Sequence, residues 1–343
     1  MSEDADHSAM EFSGVDEPSS GSLTNQLHEG MLFTWLKLMR LPTVFTALSN
    51  VVCGYLIGRV GAIAADGPAA SSIPLAKLVT SPQLWILLAA SAGLYLSGMV
   101  LNDVFDAELD QKERPERPIP SGRISRTAAG ALGTMLMLAG LTAAALTGTV
   151  SLIVAVVLAV CVIAYDRFLK TTPAGPLVMG MCRSLNLLLG FSSAVPSLPQ
   201  LVEMPQAGVA AALGIYVVGV TLFARNEAGN ASRIRLVRSV IVLGIALAGY
   251  GGTITLFAHS ESSLRGGLLL LGLLAVHLLV RCVIAIRSGV PRILQQTVGL
   301  MLLSIVVLDA AVVLAITGSG RQAIVVLALM IPARLLKRII PMS

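Results

Sequence analysis

LNDVFDAELDQKERPERPIPSGR, residues 101 to 123, gathers six acids and four bases in a chain otherwise built mostly from Leu, Ala, Val and Gly. The acids begin where an apolar stretch of about twenty residues ends, so the segment reads as the edge of a membrane span. The rest of the chain supports that reading. Of 343 residues, 55% are hydrophobic and only 13% charged, and the mean hydropathy is +0.82. Soluble domains carry about 25% charged residues.

Working outward, apolar stretches fall at residues 41–64, 83–103, 127–146, 149–165, 174–195, 207–224, 236–258, 265–286 and 293–317. Each approaches the roughly 20 residues that a helix needs to cross a hydrocarbon core. Alternating ten-residue strands are not evident, and a backbone in lipid must satisfy its own hydrogen bonds. The expected fold is therefore an all-α polytopic membrane protein with a bundle of about nine transmembrane helices. A further stretch, 321–340, contains Pro332, Arg334, Lys337 and Arg338. It reads either as a tenth span or as a helix lying in the interface.

Residues 1–30 hold seven acids and no Lys or Arg. With their Ser and Gly content they read as a disordered, aqueous tail. They have no basic region followed by an apolar one, which argues against a cleavable signal peptide. The remaining chain carries 24 bases against 12 acids, an excess that bears on topology and anionic partners rather than on nucleic acid. With the tail cytoplasmic, 16 Lys and Arg fall on that side and four (Arg59, Lys77, Arg265, Arg321) on the other. That asymmetry predicts a cytoplasmic N-terminus and cytoplasmic loops after the even-numbered spans. The four cysteines lie singly in apolar stretches, which suggests neither a disulfide framework nor a CxxC metal site.

Asp103, Asp106 and Asp110 stand at i, i+3 and i+7, one face of a continuous helix. Like charges so placed repel and are costly to desolvate, and a hard divalent cation with oxygen ligands relieves both effects. Asn102, one turn before Asp106, could orient a ligand. The alternative is a solvated helix end whose acids pair with Lys112, Arg114 and Arg117. Acids at a helix C-terminus oppose the macrodipole, which favours the metal reading. After them, RPERPIPSGR places Arg114, Arg117 and Arg123 on a Pro-stiffened loop, suited to holding guanidinium groups over a phosphate.

Asn102, Asp103, Asp106 and Asp110 spell NDxxDxxxD, and RPxRPIPSG follows them. With this pattern the chain resembles the UbiA superfamily of intramembrane prenyltransferases. LKLMRLPTVFTALSNVVCGY (36–55), YDRFLK (165–170) and MCRSLNLLLG (181–190) extend the likeness to essentially everything after residue 30, a single domain over 31–343. The resemblance implies a helical bundle around a central cavity that opens sideways to lipid and is capped by cytoplasmic loops. It implies two acidic motifs, after spans two and six, that bind Mg²⁺ and a polyprenyl diphosphate. The allylic C–O bond of the diphosphate ionises and a lipophilic or aromatic acceptor is alkylated, as in lipid quinone and related pathways, within a bacterial-type inner membrane.

On the same resemblance, Asp103, Asp106, Asp110 and Glu227 are the expected catalytic and metal-binding residues. The expected substrate contacts are Asn50, Asn102, Arg114, Arg117, Arg123, Asp166, Lys170, Arg183, Asn186, Arg225, Asn226 and Asn230. The second motif departs from the usual DxxxD: it reads FARNEAGNASR (223–233), in which only Glu227 is a carboxylate. Arg183 stands by itself within an apolar span, where a charge costs at least about 2.5 kcal/mol on insertion scales and so faces a cavity or a partner. His277 reads as a helix-packing residue, and Asp309 has no evident role. A second reading of the weakened motif is a non-catalytic protein that binds or carries a prenylated compound. A solute transporter would need acids deep in several spans, and only Asp309 is so placed.

Overall fold

The computed structural model describes residues 30–66, 74–203, 207–225 and 232–339, with the side chains of 61–66 outside the description. The acidic tail lies outside the described residues, as do Asn226, Glu227 and Asn230. After α1 (Met31–Leu38) and a 3₁₀ turn (Leu41–Thr43) come α2 (Val44–Asp66), α3 (Leu75–Val79), α4 (Pro82–Phe105) and α5 (Ala107–Glu113). Next are α6 (Arg126–Thr147), α7 (Thr149–Ala164) with a π-helical turn (Tyr165–Leu169), α8 (Gly175–Phe191), α9 (Leu198–Glu203) and α10 (Ala207–Ala224). The chain ends with α11 (Arg233–Phe257), α12 (Glu261–Ser288), α13 (Pro291–Thr317), α14 (Gly320–Ala328) and α15 (Met330–Ile339). Among the described residues, nine helices are long and apolar enough to cross a membrane. The chain is an integral, multi-pass membrane protein.

Local chemistry sets the helix ends. Ser81 accepts from the Leu84 N–H with Pro82 in the first turn, Ser125 accepts from Ala128 N–H, and Ser260 forms a capping box with Ser263. These caps occupy backbone donors that a helix start leaves orphaned. They also start the eighth span at 261 rather than 265, because Glu261 and Arg265 bond to each other within its first turn.

The long helices form a ring in which each packs on its chain neighbours and α13 returns to α2. Helix α2 lies inside, also touching α8. Small residues permit that contact: a Cβ on Gly54 would strike the Leu187 carbonyl, and one on Gly190 the Val51 carbonyl. His277, expected between helices, is exposed on the outside of α12.

The last apolar stretch resolves into two short helices, neither long enough to span alone. Pro332 supplies no N–H for the Ala328 carbonyl four residues back, and the helix stops at Ala328. Helix α14 packs on α13 after the left-handed Gly318 turn, while α15 reaches the Leu41–Thr43 turn and α2. Their 19 helical residues rise roughly 28 Å at 1.5 Å each, so together they return to the end of the bundle where α13 begins.

Candidate functional site

The basic end of the bundle carries the site, and its first element is a helix break. Helix α4 ends at Asp106, whose φ of −87° and ψ of 0° interrupt it before α5 begins at Ala107. The three aspartates therefore do not lie on one uninterrupted helix. Asp103 and Asp110 turn inward and are buried, while Asp106 is half-buried and turned toward Lys170, whose Nζ donates to its Oδ1.

Each carboxylate faces a cation. Arg117 Nη1 lies 2.6 Å from Asp110 Oδ2 and 3.5 Å from Asp103 Oδ1. Arg40 Nη2 is 2.7 Å from the same Asp103 oxygen. Arg117 is itself only 6% exposed, so these charges are desolvated together, and removing one would leave the others uncompensated. Of the three bases considered as partners for a solvated helix end, only Arg117 takes that part. Lys112 and Arg114 are exposed.

The loop after α5 explains why. Backbone bonds Ser121 N–H to Arg117 O, Gly122 N–H to Ile119 O and Ile124 N–H to Pro118 O fold it into successive turns, and Gly122 supplies the φ of +75° that one of them requires. Ile119 and Ile124 pack with Leu38, Val100 and Ala129. That small apolar anchor directs Arg117 inward and leaves Arg114 and Arg123 on the exposed side. The expected trio of arginines over a phosphate is thus a single inward arginine.

YDRFLK (165–170) forms the second element. The Lys170 N–H bonds to Tyr165 O, the i to i+5 pattern of a π-turn, a form frequent at functional sites. It turns the buried Asp166 inward, where its Oδ1 accepts from Asn102 Nδ2 at 3.0 Å. The Arg167 guanidinium stacks on the Phe105 ring at 5.5 Å. Arg225, expected to reach a diphosphate, instead donates to the Lys170 and Thr172 carbonyls. It clamps the turn to the end of α10.

Below these charges an apolar cavity of about 520 Å³ opens between α2, α4, α7, α8, α10, α13 and α15. Arg40, Tyr165 and Asp166 lie on its wall, and it reaches Leu94 on α4, roughly 13 Å below Asp103 at 1.5 Å per residue. The volume is within the usual range of small-molecule sites.

Arg183 borders the cavity, stacked 5.2 Å from the Tyr95 ring centre. Its guanidinium reaches Thr46 Oγ1 at 3.3 Å and Asn50 Oδ1 at 3.5 Å. Asn50 is fully buried behind it, not on the cavity wall, and donates to Asp309 Oδ2 at 2.8 Å; Ser49 donates to the same oxygen at 2.7 Å. Asn50 thus touches Arg183 and Asp309 rather than the cavity. Asn186 lies on the wall, yet its amide is committed to Ser91 Oγ and to the Ala47 carbonyl, so it ties helices together.

Sequence reasoning counted Arg40 only as a charge that sets topology, and Lys337 only as one of the bases in the last apolar stretch. Arg40 has a left-handed backbone, φ 47°, uncommon for a residue with a Cβ, and it caps the turn made by Leu41, Pro42 and Thr43. The available signal was its place just before Leu-Pro-Thr at the mouth of the first span.

The donor types, carboxylates of Asp103, Asp106, Asp110 and Asp166 with the Asn102 amide, are those a hard divalent cation takes, but among the described residues no three of the acids lie close enough together to hold one. Each is turned to its own partner instead. The same carboxylates draw in three cationic side chains, Arg40, Arg117 and Lys170, as a strongly negative site does.

The sequence profile of the UbiA prenyltransferase family matches residues 60–340. A digeranylgeranylglyceryl phosphate synthase from Saccharolobus solfataricus is 32% identical over 46% of this chain and 51% of its own length. One from Metallosphaera sedula is 34% identical over 46% and 50%. The chain spans about half the length of the curated relatives it matches. A solved structure of digeranylgeranylglyceryl phosphate synthase has a TM-score of 0.59 at 17% identity, covering 84% of this chain and 99% of the other. A UbiA homologue from Archaeoglobus fulgidus bound to GPP and Mg²⁺ has a TM-score of 0.57 at 13% identity, covering 82% and 99%. At these identities the likeness is one of fold.

Proposed function

We propose, from the premise that this chain belongs to the UbiA prenyltransferase family, that it transfers a polyprenyl group from its diphosphate to a lipophilic acceptor and releases pyrophosphate. One observation carries the reading: buried and half-buried carboxylates matched by Arg40, Arg117 and Lys170 stand at one end of a cavity whose wall is mostly apolar. A diphosphate with a long hydrocarbon tail has that polarity.

Asp103, Asp106 and Asp110, with Asn102 and Asp166 beside them, are the residues that would hold Mg²⁺. When bound, the ion neutralises charge that develops on the leaving diphosphate. Arg117 and Lys170 act on the same charge as preorganised donors, exchanging carboxylate for phosphate oxygens. The apolar wall keeps water from the allylic cation, and the Tyr165 ring, which also lines the cavity, is the aromatic group there to stabilise it, the Tyr95 ring already carrying the Arg183 guanidinium. Glu227, Asn226 and Asn230 belong in this proposal as the second motif, on their sequence position alone.

The name shared by the relatives directs the acceptor toward a prenylated glyceryl phosphate and away from the quinone pathway expected from the sequence. The 16-to-4 distribution of bases supports a cytoplasmic basic end, with the acidic residues 1–30 as a solvated extension of a single domain. The test is purified protein with Mg²⁺, labelled prenyl diphosphates of graded length and a panel of acceptors, analysed by product mass. Alkylated acceptor with stoichiometric pyrophosphate is expected. Tight diphosphate binding without release would instead favour the carrier reading that the FARNEAGNASR motif suggests.

A further inference from the structure

Five cationic side chains stand at or near the cavity mouth. Arg40, Arg117 and Lys170 each have a carboxylate. Arg183 and Lys337 border the cavity with no carboxylate within ion-pair distance among the described residues. The donor end, with Asp103, Asp106, Asp110 and Asp166 against three bases, already has the charges a metal and a diphosphate need. Two cations are left over, on other walls.

Lys337 arrives by an unusual route. The break at Pro332 lets α15 turn back to the Leu41–Thr43 turn and cover the side of the cavity between α2 and α13. Ala333, one turn before Lys337, is buried on that wall. The ammonium lies beside α13 at Gly299: a Cβ built there would stand 4.0 Å from Nζ, ordinary contact distance. Lys337 is exposed and yet lines the cavity, which places it at an opening beside α15, on a different wall from Asp166.

We propose that Lys337 is the contact for the anionic head of the acceptor, a phosphate monoester or carboxylate on a lipid that enters beside α15. The inference rests on the prenyl-transfer reading above and assigns the acceptor's place in it. A compact ammonium on a flexible stem suits a group that must dock and leave, and a charge-assisted bond contributes about tenfold in affinity.

The experiment is direct binding to the full chain in phosphatidylcholine nanodiscs, with geranylgeranylglyceryl phosphate and its phosphate-free alcohol as probes. The wild type should prefer the phosphate by about tenfold. Lys337→Gln should erase that preference by weakening only the phosphate probe, and Lys337→Arg should restore most of it. An unchanged preference in Lys337→Gln overturns the assignment, as does an absent preference in the wild type. Repeating the titration with phosphatidylglycerol separates the sources of phosphate: if that lipid abolishes the preference, the ammonium serves bulk headgroups and the proposal fails. Because binding is read without turnover, the two failures are distinguishable: a wild type that discriminates but transfers nothing refutes the prenyl-transfer reading, and with it the acceptor's role, whereas one that transfers without discriminating refutes the Lys337 assignment alone.

Discussion

Two sets of buried carboxylates occupy this bundle, and their partners differ in kind. Asp103 and Asp110, at the basic end, are answered by guanidinium groups. Asp309, fully buried on α13, is answered by the neutral donors of Ser49 and Asn50, and its Oδ1 has no partner among the described residues. Cations around an acid can be exchanged for a metal and a ligand phosphate when substrate arrives. Neutral donors from a neighbouring helix cannot, and they hold geometry instead. Partner chemistry thus separates acids held by exchangeable cations, the set proposed to react, from an acid held by fixed neutral donors, although both look like misplaced acids in an apolar sequence.

The sharpest way to break that contrast is to remove a cation from the reacting set. Arg117→Ala leaves Asp103 and Asp110 buried beside each other with only Arg40 in reach, and the loss expected is about 3 to 5 kcal/mol of stability, visible as a lower unfolding midpoint in detergent. An unchanged midpoint would mean the pair is solvated after all. Next comes Asp103→Asn, which keeps the shape but removes charge where a metal and diphosphate meet. Its expected cost is about 10²-fold or more in product formation, with the fold intact by circular dichroism. Full activity would sink the assignment of this end as the reacting one.

The fold was legible to the extent that it follows from composition. Nine apolar stretches became nine long helices among the described residues because length and hydropathy alone decide insertion. NDxxDxxxD marked the charged end because acids crowded at the end of an apolar span repel one another and oppose the helix dipole unless something cationic holds them. The loop arginines were not legible. Arg114, Arg117 and Arg123 share the same local sequence chemistry, and what sorts them is the packing of Ile119 and Ile124 against α1, α4 and α6, a long-range contact. The same holds for Asp309, whose partners are about 260 positions away in the chain, and for Lys337, whose place depends on where a proline-broken helix lands. The i, i+3, i+7 argument failed at Asp106 because it assumed an unbroken helix, while the backbone ends one there and starts another.

Asp309 gives the next prediction in size. Asp309→Leu is similar in bulk but removes the acceptor for the Asn50 amide, whereas Ser49 keeps the Thr46 carbonyl as an alternative acceptor at 3.0 Å. One orphaned buried donor costs about 1 to 3 kcal/mol, and Asn50 becomes free to turn away from Arg183. Acceptor KM should rise more than kcat falls, whereas loss of kcat at constant KM would place Asp309 with the reacting set and erase the distinction between the two groups of acids.

The smallest effect expected is at Arg114, three residues from Arg117 and equally attractive as a phosphate ligand on sequence grounds. Its side chain is exposed at the end of α5 and forms no ion pair among the described residues. An exposed cation at that distance is screened by salt within about 8 to 10 Å, and surface substitutions of this kind fall within about 0.5 kcal/mol. Arg114→Ala should therefore change donor KM by less than about threefold, with any change vanishing at high ionic strength, while Arg117→Ala is severe at any salt concentration. If the two variants were equally damaging, the loop would have to reorganise on binding to bring Arg114 inward, and the Ile119–Ile124 anchor would be the part that moves.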